Sequence, residues 1–141
     1  MTIGAILHGR TGAVIAAQPD DTVRAVIDLL AQHRIGAVPV VESESIVGIF
    51  SERDLVRLMS SYGPEALDRR LDEVMTKSPV TCDSRMAVIA ALSLMTQKRI
   101  RHLPVVDDGA LVGFVSIGDL VKHRIDHIEA EAAAMRDYIA G

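Results

Sequence analysis

Ile35-Gly-Ala-Val-Pro-Val-Val41, followed by Ile46-Val-Gly-Ile-Phe-Ser-Glu-Arg-Asp-Leu-Val56, is the stretch that decides the fold, because it occurs twice. Sixty-five residues further on stand Ile100-Arg-His-Leu-Pro-Val-Val106 and Leu111-Val-Gly-Phe-Val-Ser-Ile-Gly-Asp-Leu-Val121, aligned without a gap. Ten of the 23 positions from 35 to 57 are identical in the second copy, far more than chance gives unrelated segments. Two copies are too few for a solenoid, which needs three or more to cover its ends. A closed pair packed face to face is the simpler solution.

Working outward, each copy predicts the same order of elements. A short apolar strand (residues 14–17; 80–81) leads to a helix-capping acid or hydroxyl: Asp20 or Asp21, then Asp83 or Ser84. The helix that follows carries Val23, Val26, Ile27 and Leu30, or Val88, Ala91, Leu92 and Met95, and spacings of three and four put these on one face. Two strands come next, 37–41 with 46–50 and 102–106 with 111–115, joined by turns at 42–45 and at Asp107-Asp108-Gly109. A second helix begins at Ser51 or Ser116. The order is β-α-β-β-α twice, the first strand reaching its neighbours by a right-handed crossover. The expected fold is α+β: two repeats packed sheet to sheet with pseudo-twofold symmetry, plus a long C-terminal helix. Expected boundaries are 1–62 for the first repeat, 63–76 for a linker helix with Leu67, Leu71 and Val74 inward, 77–124 for the second repeat, and 125–141 for a helical extension.

Composition narrows the function classes. The chain has 141 residues, 49% hydrophobic and 24% charged, with two Tyr, two Phe and no Trp. Its mean hydropathy of +0.26 is too high for a disordered chain. Its longest uncharged stretches fall short of the roughly 20 apolar residues that span a bilayer. Arg10 interrupts the apolar start, so no signal peptide is expected, and the single Cys82 suits a reducing cytoplasm. A net charge of −4 and few aromatics argue against nucleic acid as partner.

The chemistry-bearing pattern is Ser51-x-x-Asp54 and Ser116-x-x-Asp119. One reading is a capping box, in which Ser caps the helix and the acid reaches back to the N–H of the cap. The other uses the same geometry for a ligand. A helix N-terminus attracts phosphate, a Ser hydroxyl can donate to it, and an Asp one turn in can accept from ribose hydroxyls. Gly48 and Gly113, just upstream, allow close packing or ligand approach. Doubling at equal offsets from a Pro-Val-Val strand strengthens the functional reading.

These residues resemble a known family, the tandem of cystathionine β-synthase (CBS) domains called a Bateman module, of the stand-alone type. The resemblance runs through residues 34–41 and 48–54, again through 99–106 and 113–119, and through Val74-Met-Thr-Lys-Ser-Pro-Val80. It implies a non-catalytic module whose two inter-repeat clefts bind AMP, ADP, ATP or NAD(H), with S-adenosylmethionine the weaker candidate. By the same resemblance Asp54 and Asp119 hold ribose, and Ser51 and Ser116 lie near ribose or phosphate. Gly36, Ala37, Val38 and Pro39, with Arg101, His102, Leu103 and Pro104, line the base and phosphate pocket. Ala16 and Ala17, with Ser78, Pro79, Val80 and Thr81, contact the adenine, and Ile117 is placed with them. Many members carry Thr where this chain has Ser51 and Ser116, a departure that keeps the hydroxyl.

The copies differ in charge. Gly36-Ala37 faces Arg101-His102, and Arg53 faces Gly118, so the two clefts are expected to prefer different phosphate patterns. Each of these cations could equally be a solvated helix end. His123 and His127, four apart, have metal-ligand spacing but read better as a polar helix surface, so no metal is expected. Cys82 has no base beside it in sequence, no Gly-x-x-x-x-Gly-Lys-Ser/Thr loop is present, and catalysis is not expected. Val121, Ile125, Ile128, Ala132, Met135 and Ile139 recur at intervals of four and three, a seam for a partner helix in a twofold homodimer. The leading expectation is an adenine-nucleotide sensor acting in trans on another protein. The alternative is a ligand-free dimerisation or docking module.

Overall fold

A computed structural model describes residues 1–10 and 12–140; Thr11 and Gly141, within the expected spans 1–62 and 125–141, lie outside the described residues. The first copy contains α2 (Val23–His33), β1 (Ala37–Glu42), β2 (Ser45–Ser51) and α3 (Glu52–Tyr62). The second contains α5 (Val88–Lys98), β4 (His102–Asp107), β5 (Ala110–Ser116) and α6 (Ile117–Ala140). Before them lie α1 (Ile3–His8) and, between the copies, α4 (Leu71–Val74) and β3 (Thr76–Lys77).

Each copy builds its own core. Val23, Val26 and Leu30 of α2 pack on Val38, Val40 and Phe50, while Val88, Ala91 and Met95 of α5 pack on Leu103, Val105 and Val115. These are the stripes the helical spacing predicts. The first strand of each copy shrinks to one parallel bridge, Ala17 to Val40 and Cys82 to Val105. The sheets are antiparallel, β1-β2-β3 and β4-β5, and their hairpins touch where Leu111 N–H donates to the Glu44 carbonyl at 3.1 Å.

The helix starts differ from the sequence expectation. Thr22, not Asp20 or Asp21, caps α2 by accepting from Ala25 N–H, and Asp21 instead accepts from Gln18 N–H. The cap position of α5 is Ala87, which has no capping side chain. What relieves the need for one is a backbone carbonyl from another part of the chain. Met1 accepts from Val88 N–H at 3.1 Å, as Arg69 accepts from Val23 N–H at 3.0 Å.

The linker is not one helix. Pro64 starts a 3-10 segment, Gly63–Asp68, and Arg69 and Arg70 then run extended into the single turn of α4. That extended pair is what lets the backbone bridge Thr22 to Arg70. Leu71 and Ala66 are fully buried in the first core. The N-terminal segment does the same for the other copy: Thr2 bridges Ala87, and Ile3 is fully buried in the second core. The N-terminal helix therefore completes the second repeat, although it lies within the span 1–62.

The two glycines explain this crossing. A Cβ on Gly48 would stand 2.5 Å from the Met75 sulfur, and one on Gly113 would stand 2.6 Å from the Leu7 side chain. Both are strand positions over which the crossing segment passes at close range. Among the described residues no helix is long and apolar enough to cross a membrane.

Candidate functional site

Both Ser-x-x-Asp motifs form their capping boxes. Ser51 Oγ accepts from Asp54 N–H at 3.2 Å, and Asp54 Oδ2 accepts from Ser51 N–H at 2.9 Å and from the Ser51 hydroxyl at 3.1 Å. Asp119 N–H donates to Ser116 Oγ at 3.1 Å, and Ser116 N–H to Asp119 Oδ2 at 2.8 Å. The cap occupies Oδ2 alone. Among the described residues Oδ1 of neither aspartate takes a hydrogen bond, so capping leaves an acceptor for a ligand.

Each aspartate lines a cleft between the two copies. The Asp119 cleft, about 480 Å3, is walled by residues 13–15, 34–37 and Ser116. The Asp54 cleft, about 460 Å3, is walled by residues 78–80, 99–102 and Ser51. Adding 65 to 13–15 and 34–37 gives 78–80 and 99–102, and adding 65 to Ser51 gives Ser116, so each cleft takes its wall from one copy and its serine from the other. Gly36 and His102 line both and form the partition between them. Volumes of this size are those of small-ligand sites.

The expected site residues distribute as follows. Gly36 and Ala37 line the Asp119 cleft, and Ser78, Pro79 and Val80 the Asp54 cleft. Arg53, Arg101 and His102, expected to distinguish two clefts, all line the Asp54 cleft. Ala16, Thr81 and Ile117 line neither cleft. Ala17, Val38 and Leu103 are core residues, and Pro39 and Pro104 are buried, their carbonyls accepting from Ala17 and Cys82 N–H at 3.0 Å. None of these five residues lines either cleft.

Four arginines beyond the expected site residues belong to the clefts. Arg34 and Arg99 end α2 and α5 in the left-handed region, with φ of 53° and 55°, and each lines one cleft. A non-glycine residue held at positive φ is strained, and the strain here is repeated at both cleft walls. Arg57 lies one turn beyond Arg53. Arg10 reaches Asp119 Oδ2 at 2.8 Å and donates to the Phe114 carbonyl at 2.9 Å. No local motif marks Arg10, since its partners are more than a hundred residues away.

Burial raises the Asp119 carboxyl, but the Ser116 N–H and the Arg10 guanidinium outweigh it and hold the group below its ordinary 3.8. Burial lowers His102, against the opposing pull of Asp119 and Glu52. Its ring stacks on Phe114 with centroids 5.5 Å apart and planes within 8°. Cys82 is buried, and burial with Asp83 and Asp107 pushes its thiol up to about 11, so it is not a nucleophile at neutral pH. His127 Nε2 lies 3.2 Å from Glu131 Oε1, and no metal-holding group of three or more His, Cys, Asp or Glu occurs among the described residues.

Comparison with known proteins agrees with this architecture. A family model described as the CBS domain matches residues 10–61 and 71–126. The chain is 33% identical over 135 residues to the CBS domain-containing protein CBSX3, mitochondrial, of Arabidopsis thaliana, covering 92% of this chain and 66% of that one. It is 33% identical over 123 residues to the CBS domain-containing protein YhcV of Bacillus subtilis, covering 87% of each. The crystal structure of a CBS-domain containing protein from Agrobacterium tumefaciens, 34% identical, superposes with a TM-score of 0.83 over 88% of this chain and 99% of that one. At 22% identity and a TM-score of 0.76, the CBS domain pair of protein MJ0100 shares the fold over 86% of this chain and 98% of its own; it was solved in complex with 5-methylthioadenosine and S-adenosyl-L-methionine.

Proposed function

We propose a function from one premise: the chain belongs to the CBS-domain family, as a tandem pair of its repeats. It is a non-catalytic regulatory module that binds an adenine nucleotide between its repeats and acts in trans on a partner protein. The observation that carries this reading is the pair of clefts, each with a capped Ser-x-x-Asp at a helix N-terminus, an unoccupied carboxylate Oδ1 and a left-handed arginine on the wall.

The adenosine moiety is common to both ligands of the MJ0100 pair, which supports the nucleoside half of the proposal. The arginines support the other half. They favour phosphates, as in AMP, ADP, ATP or NAD(H), over the cationic sulfonium of S-adenosylmethionine. A ligand touching both repeats shifts their relative arrangement only by its difference in affinity for the alternatives. The open seam of α6 supports a second copy of the chain as partner, and the buried thiol of Cys82 suits the cytoplasm.

The test is isothermal calorimetry with AMP, ADP, ATP, NAD, NADH and S-adenosylmethionine. Saturable binding of a phosphate-bearing ligand is expected, weakened by Asp54→Asn or Asp119→Asn. No heat or thermal shift with any of the six would leave the docking-module alternative.

A further inference from the structure

We propose that Arg10 latches the Asp119 cleft, so that a nucleoside di- or triphosphate fills the Asp54 cleft first and enters the other only by displacing that side chain. This rests on the nucleotide reading above and adds a division of labour between the two clefts.

The latch is a guanidinium held at both ends by protein. One nitrogen pairs with Asp119 Oδ2 at 2.8 Å and the other donates to the Phe114 carbonyl at 2.9 Å, on the wall of the same cleft. The acid that would grip ribose is thereby neutralised, and the cleft loses one of its two arginines to an internal partner. A carboxylate already paired with a cation is a weaker acceptor for a sugar hydroxyl.

Nothing equivalent guards Asp54. The crossing segments correspond at an offset of 68, as in Ile3 with Leu71 and Leu7 with Met75, which sets Ser78 where Arg10 stands. Ser78 is uncharged, and among the described residues Asp54 makes no ion pair. Of the remaining charge differences one runs against this, Glu52 lining the Asp54 cleft where the second copy has Ile117, and the others outnumber it. Arg53 and Arg57 line the Asp54 cleft, whereas their counterparts are Gly118 and Lys122, and Lys122 is paired with Asp126 at 3.3 Å. Arg101 lines the Asp54 cleft, whereas its counterpart is Gly36. With Arg99, four arginines face one cleft of a chain whose net charge is −4. A phosphate chain is recognised by several guanidinium forks, and only this cleft offers them.

Arg10 is 39% exposed at its side chain, so its ion pair is a modest one and the latch is a threshold rather than a barrier. The experiment is calorimetric titration of the full chain with ATP. One tight site is expected in the wild type, with a second site at least tenfold weaker. Asp54→Asn should weaken the tight site at least tenfold. Arg10→Ala should strengthen the weak site threefold or more while the tight site keeps its affinity, and Arg10→Lys should fall between. Two equal sites in the wild type would overturn the latch, as would an Arg10→Ala chain whose second site is unchanged or weaker, the latter making Arg10 a phosphate ligand. Weakening of the tight site in Asp119→Asn instead of Asp54→Asn would reverse the assignment of the clefts and overturn it too. If ATP, ADP and AMP bind to no variant, the nucleotide reading itself fails, and the latch with it.

Discussion

Each site aspartate spends one carboxylate oxygen on its helix cap, and that division determines what a substitution removes. Asp54→Asn keeps a cap acceptor and loses the charge; Asp54→Ala loses both. The asparagine should fold as the wild type does yet bind nucleotide at least tenfold more weakly, a charge-assisted bond being worth about 1.5–3 kcal/mol. The alanine should also melt earlier, because a lost cap costs about 0.5–2 kcal/mol. Calorimetry and thermal melting on the two variants separate ligand contact from cap. At Asp119 the folded carboxyl lies below its ordinary 3.8. Its contribution to stability is therefore present above the unfolded value and lost as the pH falls through the folded one. Melting from pH 6 down to pH 3 should fall off less in Arg10→Ala than in the wild type; identical profiles would mean that Arg10 does not act on this carboxylate. The Ser-x-x-Asp motif was legible because its partners lie three residues apart. Arg10 was not, because its hydrogen-bonded partner Phe114 is 104 residues away and the crossing segments follow an offset of 68 instead of 65.

Among the elements, those with a strong local period were readable and those made by distant backbone were not. The buried stripes of α2 and α5 follow from spacings of three and four, and both hairpins fall where their turns predict. The helix starts were misplaced because the N–H groups there are met by Met1 and Arg69 carbonyls, which no capping pattern reveals. The hairpin turns carry an imbalance that sequence alone hides. Asp108 and Gly109 take positive φ in one, as do Ser43 and Glu44 in the other, at 51° and 69°. Glycine relieves that conformation for a non-glycine residue, so Glu44→Gly should raise stability by up to about 1 kcal/mol in urea unfolding. A lowered midpoint would mean that the Glu44 side chain contributes more than the turn costs. On α6 the heptad seam is open: Ile125 is 49% exposed, Ile128 48% and Met135 60%. A stripe at this period is suited to supercoiling with a second helix. Light scattering at micromolar concentration should give a dimer for the wild type and a monomer for Ile128→Asp, and a monomeric wild type would refute the seam.

In the whole molecule each core is closed by a segment that precedes the other repeat: Leu71 seals the first and Ile3 the second. Neither repeat can therefore unfold without exposing apolar surface that belongs to the other. The chain should melt in one cooperative transition rather than two, followed equally by far-UV dichroism and by the calorimetric enthalpy. Leu71→Ala tests this, since it removes a fully buried side chain from the first core alone and should cost about 2–5 kcal/mol. If the halves are coupled, the entire transition moves down together. If they are not, a separate early step appears while the second core keeps its midpoint. The same coupling would give the proposed ligand its leverage. On the proposed reading, a nucleotide bridging the two copies should stabilise both cores at once, by about 2.7 kcal/mol at a hundredfold excess over its dissociation constant. For a chain of this length that is a rise of about 5–10 °C in the single melting temperature. In Leu71→Ala the ligand should restore a comparable shift, because it binds across the boundary that the crossing segments hold closed. A shift confined to one half of a split transition would show that the clefts, though built from both copies, report to only one.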